Sequence, residues 1–217
     1  NFRKALAQAL NRTGLATSVF NDNATAISSP FPLEFDITDN NITTQNLDQA
    51  KKLLLNDGFQ FFYNTHKLHK NGVPVTITIT TNENPYNKKT AELIANEWGG
   101  LGIDVKINSI PTSDLLKTVI KPRDFEVILF AQKLGGDPDP FALWHSSQVN
   151  DPGLNFTGFI NPEADSLLTS AQTSTENEDQ IKALQKWNKI FLDNTPAIIL
   201  SQPHYLFITD NTLNITN

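Results

Sequence analysis

The chain has 217 residues, 39% of them hydrophobic and 18% charged, with a formal net charge of −6 and a pI near 5.1. That length buries a sizeable core as one large domain or two small ones. No apolar run approaches the roughly 18–20 residues of a membrane span, and scattered basic residues on an acidic chain argue against a nucleic-acid partner. The absence of cysteine excludes thiol catalysis, disulfides and Cys-ligated metals. Methionine is absent too, even at position 1, so the sequence reads as an excised piece of a longer protein, with its start and any signal or lipid anchor removed.

Residues 2–12 (FRKALAQALNR) place apolar side chains at 2, 5, 6, 9 and 10, a helical spacing with Asn1 to cap it and Gly14 to stop it. Residues 15–45 have weak periodicity and a Pro30-Phe31-Pro32 break, and read as a long ordered loop of the kind that often carries function. Asn46 and Gly58 bracket the next helix, with Leu47, Ala50, Leu53 and Leu54 as its buried stripe. Residues 59–72 read as an exposed hairpin or loop. Val75, Ile77 and Ile79 then alternate with threonines, which predicts a half-buried strand over 73–81.

Ala91, Ile94, Ala95 and Trp98 share one face of a helix over 88–98 that Gly99-Gly100 ends. Ile103, Val105 and Ile107 alternate as a second strand. A short helix from Thr112 or Ser113 to about Ile120 leads into a third strand, 125–131, whose β-branched and aromatic run predicts a largely buried position. This β-α-β-α-β order predicts neighbouring parallel strands with right-handed crossovers. After an irregular segment, 146–160, come a helix from Asn161-Pro162-Glu163 to about Thr173, a longer helix over 176–194, and short strands at 197–202 and 205–209. The fold class is α/β, a single domain over 1–217 with a mixed β-sheet flanked by helices.

Candidate chemistry concentrates in residues 125–145. The strand breaks at Gly135-Gly136, passes through Asp137-Pro138-Asp139-Pro140 and restarts as a short apolar helix, Phe141 to Trp144. In open α/β sheets ligands sit beyond the carboxyl ends of the strands, where such turns collect. Asp137 and Asp139 can present carboxylates to a ligand amine or work as an acid/base pair. Asp139, followed by Pro140 at a first helical position, is also a good N-cap. Trp144 is either core or a pocket wall, with an indole N–H that wants a partner. His66 and His69 have a spacing metal sites use if their segment is helical, but no third ligand stands out and Lys67 and Lys70 repel a cation, so no metal is predicted. His145 and His204 are isolated and read as structural. No phosphate loop and no Gly-X-Ser-X-Gly elbow occurs, so neither a cofactor nor a catalytic residue is predicted.

Several of these segments together resemble the bacterial extracellular solute-binding proteins of family 5, the oligopeptide-binding type of ABC importers. FRKALAQALNR is similar to the segment that opens the second lobe in that family, and LDQAKKLLLNDGF to its next helix. TITTNENPYNKKTAELIANEWGGLGIDVKI resembles its strand, Asn-Pro turn, amphipathic helix and following strand. DPDPFALWHSSQ with LNFTGFINPEADSLLTSA resembles its most recognisable stretch, and NTPAIILSQPHY a late strand. The matches run in family order from residue 2 to about residue 207.

The resemblance implies the second lobe of a type II, cluster C periplasmic-binding-protein-like fold, without the first lobe of the same chain. It implies a non-enzymatic clamp, extracytoplasmic and lipid-anchored in the full-length protein, that closes on a peptide and docks on ABC permease subunits. Better-known members carry an amine-binding Asp four residues before the proline of the turn. Here that position holds Gly136, counting from Pro140, or Leu134, counting from Pro138. Either Asp137 takes that role through a shortened loop, or the protein does not grip a free amine in that way; Asn155 and Phe159 match cleft-facing positions. A receptor for an oligosaccharide or another small solute is the alternative, since Phe141, Trp144 and Phe159 lie near Asp137 in sequence. A hydrolase using Asp137 and Asp139 is the remote one.

Overall fold

The structure, a computed structural model, describes residues 1–35, 37, 42–133 and 139–205. Two helices open the chain, α1 (Phe2–Gln8) and α2 (Arg12–Phe20). The sequence pattern predicts one helix here, and the reason for two is Asn11. Its side chain accepts the N–H of Gly14 at 2.9 Å, so it caps a new helix, and Gly14 lies inside α2 instead of ending α1. The predicted long loop is correspondingly shorter. It contains β1 (Ala24–Ala26) and a 3-10 turn over Leu33–Phe35.

Helix α3 (Leu47–Asn56) is capped as the sequence predicts, with Asn46 Oδ1 accepting the N–H of Gln49 at 2.8 Å. Gly58 follows it at φ +80°, a conformation only glycine adopts without strain. Strands β2 (Phe59–Phe62), β3 (Lys67–Lys70) and β4 (Val73–Pro74) then form an antiparallel sheet. This hairpin is not wholly exposed, because Phe59 and Leu68 are buried on its inner face. His66 occupies its turn and the His69 ring packs on Phe62 at 4.2 Å, so the helical spacing that would pair the two histidines is absent.

Strand β4 runs directly into β5 (Thr76–Asn82), the middle of a parallel three-stranded sheet. Helix α4 (Pro85–Gly99) follows, starting earlier than its apolar periodicity indicates because Asn84 caps it and Pro85 takes its first position. Strand β6 (Asp104–Ile110) pairs with β5 in register from Thr76↔Asp104 to Asn82↔Ile110. Helix α5 (Thr112–Asp114), continued by a π-helical turn over Leu115–Ile120, crosses to β7 (Val127–Leu129) on the far side of β5. The predicted third strand is therefore shorter and only half-buried, since it sits at an edge in the order β6-β5-β7.

The remainder is mostly helical: α6 (Phe141–Trp144), a 3-10 turn over Ser146–Gln148, α7 (Pro162–Thr173) and α8 (Asn177–Asn194). Only β8 (Ser201–Pro203) of the predicted 197–202 strand forms a ladder, antiparallel to β1. The residues before it are held otherwise: Arg3 Nη1 donates to the carbonyl of Pro196 at 3.3 Å, Arg12 Nε to that of Ile199 at 2.8 Å and the N–H of Ile27 to that of Leu200 at 3.1 Å. Of the predicted strand at 205–209, Tyr205 lies outside any strand and the rest is outside the described residues.

Three apolar clusters result. The first packs α1, α3 and α4 onto β5 through Leu6, Leu10, Leu54, Ile79, Ile94 and Trp98, with the Trp98 indole donating to the carbonyl of Leu6 at 3.1 Å. The second is aromatic and joins α6, α7 and α8 through Phe31, Trp144, Leu168, Leu184, Trp187 and Phe191. The third gathers Leu115, Val119 and Ile120 with Ile110, Phe125, Ile128 and Phe156 at the end of the sheet.

Two polar contacts within this frame yield tests. Asn161 caps α7 by accepting the N–H groups of Glu163 and Ala164, both at 3.0 Å. Asn161→Ala is expected to cost about 1 kcal/mol in urea unfolding. Glu97 has its pKa raised by burial, against the smaller opposite effect of the Asn11 N–H that it accepts. Its folded-state pKa lies above the unfolded value, so its contribution is favourable at acid pH and is lost as pH rises through the folded-state pKa. Glu97→Gln keeps an acceptor for Asn11 and is expected to flatten that loss in unfolding curves from pH 4 to 7.

Candidate functional site

Because β5, β6 and β7 are parallel, their carboxyl ends lie together, and so do the segments that follow them. After β5 comes Asn82-Glu83-Asn84. Asn82 Oδ1 accepts from Asn87 Nδ2 at 2.8 Å, and the N–H of Glu83 donates to the carbonyl of Ile110 at the end of β6. Thr81, fully buried, donates its hydroxyl to the carbonyl of Leu129 at 2.8 Å and so ties β5 to β7. Beyond β7 the chain passes Phe130 and reaches the acidic turn and α6.

Asp137 lies outside the described residues. Asp139 Oδ1 accepts the N–H of Phe141 at 2.9 Å, although the cap position of α6 falls on Pro140, one residue later than the sequence indicates. Its Oδ2 accepts from Gln172 on α7 at 3.2 Å, so both carboxylate oxygens are engaged within the protein. Trp144 is core and not a pocket wall: it is buried, edge-on to Phe191 at 4.8 Å and tilted against Trp187 at 6.2 Å.

Asn155 is also a correction to the sequence reading. Only 1% of it is exposed, and its amide is fully used. Nδ2 donates to the carbonyls of Trp144 (3.3 Å), His145 (3.2 Å) and Phe159 (2.9 Å), while Oδ1 accepts from Thr157 Oγ1 (3.0 Å) and the N–H of Phe159 (3.3 Å). A buried amide with every bond made to its own chain does not offer one to a ligand. Asn155 instead staples the loop before α7 to the end of α6. Phe159 is half-buried against the aromatic cluster, at the exposed end of that loop beside Ile160.

Sequence reasoning misses two supports of this platform, Asp165 and Arg123. Asp165, in the first turn of α7, accepts the N–H of Ser146 at 2.9 Å and also its hydroxyl. Its Oδ1 stands 4.0 Å from His145 Nε2, and the imidazole stacks on Phe141 with centroids 4.2 Å apart. Arg123, at φ +60°, donates through Nη2 to the carbonyls of Val149 and Gly153 and lies 4.5 Å over Phe156. An isolated Arg and an Asp in a helix carry no such signal in sequence, because their partners are carbonyls and N–H groups of an irregular loop. Among the described residues no group of three or more His, Asp or Glu is placed to hold a metal ion.

A separate cavity of about 400 Å³ opens at the opposite, amino edge of the sheet, lined by Phe2, Phe59, Val75, Ile77 and Val127 with Lys70 and Glu126. Lys70 Nζ lies 4.3 Å over Phe59, and Glu126 accepts the N–H of Thr78 at 2.7 Å.

The model of the bacterial extracellular solute-binding proteins, family 5 Middle, matches residues 1–153. The oligopeptide-binding protein AppA of Bacillus subtilis is 25% identical over 211 residues, covering 93% of this chain and 38% of its own length. Its structure in complex with a nonapeptide superposes with a TM-score of 0.86 at 24% identity, over 93% of this chain and 41% of that one. NikZ from Campylobacter jejuni, in complex with Ni(L-His), superposes at 0.81 with 22% identity and the same coverage. The chain thus has the type II periplasmic-binding-protein fold and spans about two fifths of the length of the proteins it matches.

Removing the Asn155 staple is expected to be severe. Asn155→Ala takes the side-chain donor from the carbonyls of Trp144 and Phe159, each costing roughly 1–3 kcal/mol when orphaned, while the His145 carbonyl keeps the Gln148 N–H and the Phe159 N–H keeps Thr157 Oγ1. Urea unfolding is expected to show a loss of about 2 kcal/mol or more.

Proposed function

Since the chain belongs to the bacterial extracellular solute-binding proteins of family 5, we propose that it is the second lobe of a clamp that captures peptides outside the cytoplasm and delivers them to an ABC permease. The first lobe of the same chain supplies the other wall, and a hinge motion closes the two on the ligand. A lipid anchor on the full-length protein holds it at the outer face of the membrane. No helix among the described residues is long and apolar enough to cross a membrane. The family binds solutes and does not transform them, so the carboxylate-pair hydrolase is not carried forward.

The observation that supports peptides is the close superposition on the nonapeptide complex of AppA. In this reading the extended ligand lies across the carboxyl ends of β5, β6 and β7, bonded through its main chain as an added strand is. Asp137 receives the peptide's free amine, because both oxygens of Asp139 are already engaged. Phe159 borders the cleft, and Asp139, Trp144 and Asn155 hold the platform. A second reading, a receptor for an oligosaccharide or another small solute, is favoured by the similar superposition on NikZ with Ni(L-His).

Calorimetry with a mixed peptide pool tests the clamp. The full-length protein is expected to bind, and this chain alone feebly, because half of the enclosing surface is missing and water is not excluded. Tight binding by the isolated chain overturns the clamp. A full-length protein that ignores peptides but responds to sugars or nickel–histidine overturns the peptide assignment. Asp137→Asn is expected to weaken free-amine peptides about tenfold while leaving N-acetylated ones unchanged, since a bond to a charged group is worth roughly 1.5–3 kcal/mol.

A further inference from the structure

The carboxyl edge of the sheet carries apolar surface that the core does not consume. Ile110 closes β6 and Phe130 follows β7. Phe130 meets Phe156 edge-on at 5.9 Å, and Arg123 covers the Phe156 ring at 4.5 Å. Ile110 and Phe156 are half-buried against Leu115, Val119 and Ile120. This makes a firm apolar floor with side chains left in water around it. Leu116 is 55% exposed on the helical turn that packs on Phe156, and Leu154 (42%) and Ile160 (68%) are exposed on the loop that Asn155 staples.

Single exposed apolar residues need no explanation, but several on converging segments mark a surface that is covered in function. The Asn155 amide beside it is engaged internally, so this wall has apolar contact as its main offering to a ligand. Binding pockets combine such walls with a few polar groups, here the main-chain edge of the sheet.

We propose that this wall receives apolar side chains of the bound peptide, so that the protein prefers leucine-, isoleucine- or phenylalanine-rich peptides over small polar or cationic ones. The inference rests on the peptide reading above and names its substrate class. Sheltering one leucine-sized side chain from water corresponds to an affinity gain of about tenfold or more.

The test is calorimetry on the full-length protein with three mixed-length peptide pools, rich in leucine, serine or lysine. The leucine pool is expected to bind about tenfold tighter than the others. The double variant Leu116→Ser/Ile160→Ser, both at exposed positions that do not threaten folding, is expected to bring the three pools to within about twofold. Tyr63→Ser, on the distant β2–β3 hairpin, is expected to leave the preference unchanged. Equal binding of all three pools by the unaltered protein overturns the inference while leaving the peptide reading standing. A leucine preference that survives the double variant also overturns it. If no pool binds, the peptide reading itself falls, and the inference with it.

Discussion

Parallel pairing of β5 with β6 on one side and β7 on the other sends all three following segments to a single edge. In an antiparallel arrangement Asn82, Ile110 and Phe130 would be divided between the two ends of the sheet. The order β6-β5-β7 has a second consequence, since the chain must pass over β5 between β6 and β7, and the helical segment Thr112–Ile120 makes that crossing. Its inner face packs on Phe156 and its outer face brings Leu116 to the edge. One set of backbone hydrogen bonds thus determines which loops and side chains gather at that edge.

An edge made of loops is precise only if the loops are held. Here the holding is done by side chains that bond to backbone. Asn155 binds three carbonyls, Asp165 binds the turn after α6, and Arg123 binds two carbonyls of the 149–153 segment. Irregular backbone cannot satisfy its own polar groups as a helix or ladder does, so buried loops need such donors and acceptors. Beneath them the ring cluster of Phe31, Trp144, Trp187 and Phe191 fixes α6 and α8, with Phe31 edge-on to Trp187 at 5.6 Å.

The regular part of this architecture is legible in the sequence. Apolar spacing gives α3, α4 and α8, Val75-Ile77-Ile79 gives β5, Asn46 announces α3 and Asn161-Pro162 announces α7. The failures share a cause, in that a local pattern was overruled by a distant or a one-residue effect. The apolar spacing runs on through 2–12, but the Asn11 cap breaks the helix there. The run at 125–131 reads as buried, yet β7 takes an edge, which is a property of sheet order and not of its own residues. Segment 197–200 has a strand-like composition but is gripped by Arg12, and Pro196 before it by Arg3, from the opening helices across more than 180 residues of sequence. Asn155 was legible as important but not in its role, because a buried amide and a ligand-binding amide look alike until their partners are known.

Arg12 shows how far the fold goes to fix that late segment. It is 7% exposed and its pKa is lowered by desolvation, which means that burial works against its charge. Its Nε donates to a neutral carbonyl, a weaker compensation than a carboxylate would give. The arrangement ties the beginning of the chain to its end: α2 holds Ile199, β1 pairs with β8, and Ile198 and Leu200 pack on the first core. A costly cation at that junction is consistent with a need for rigidity there, in the same way that buried side-chain amides serve the loops at the opposite edge.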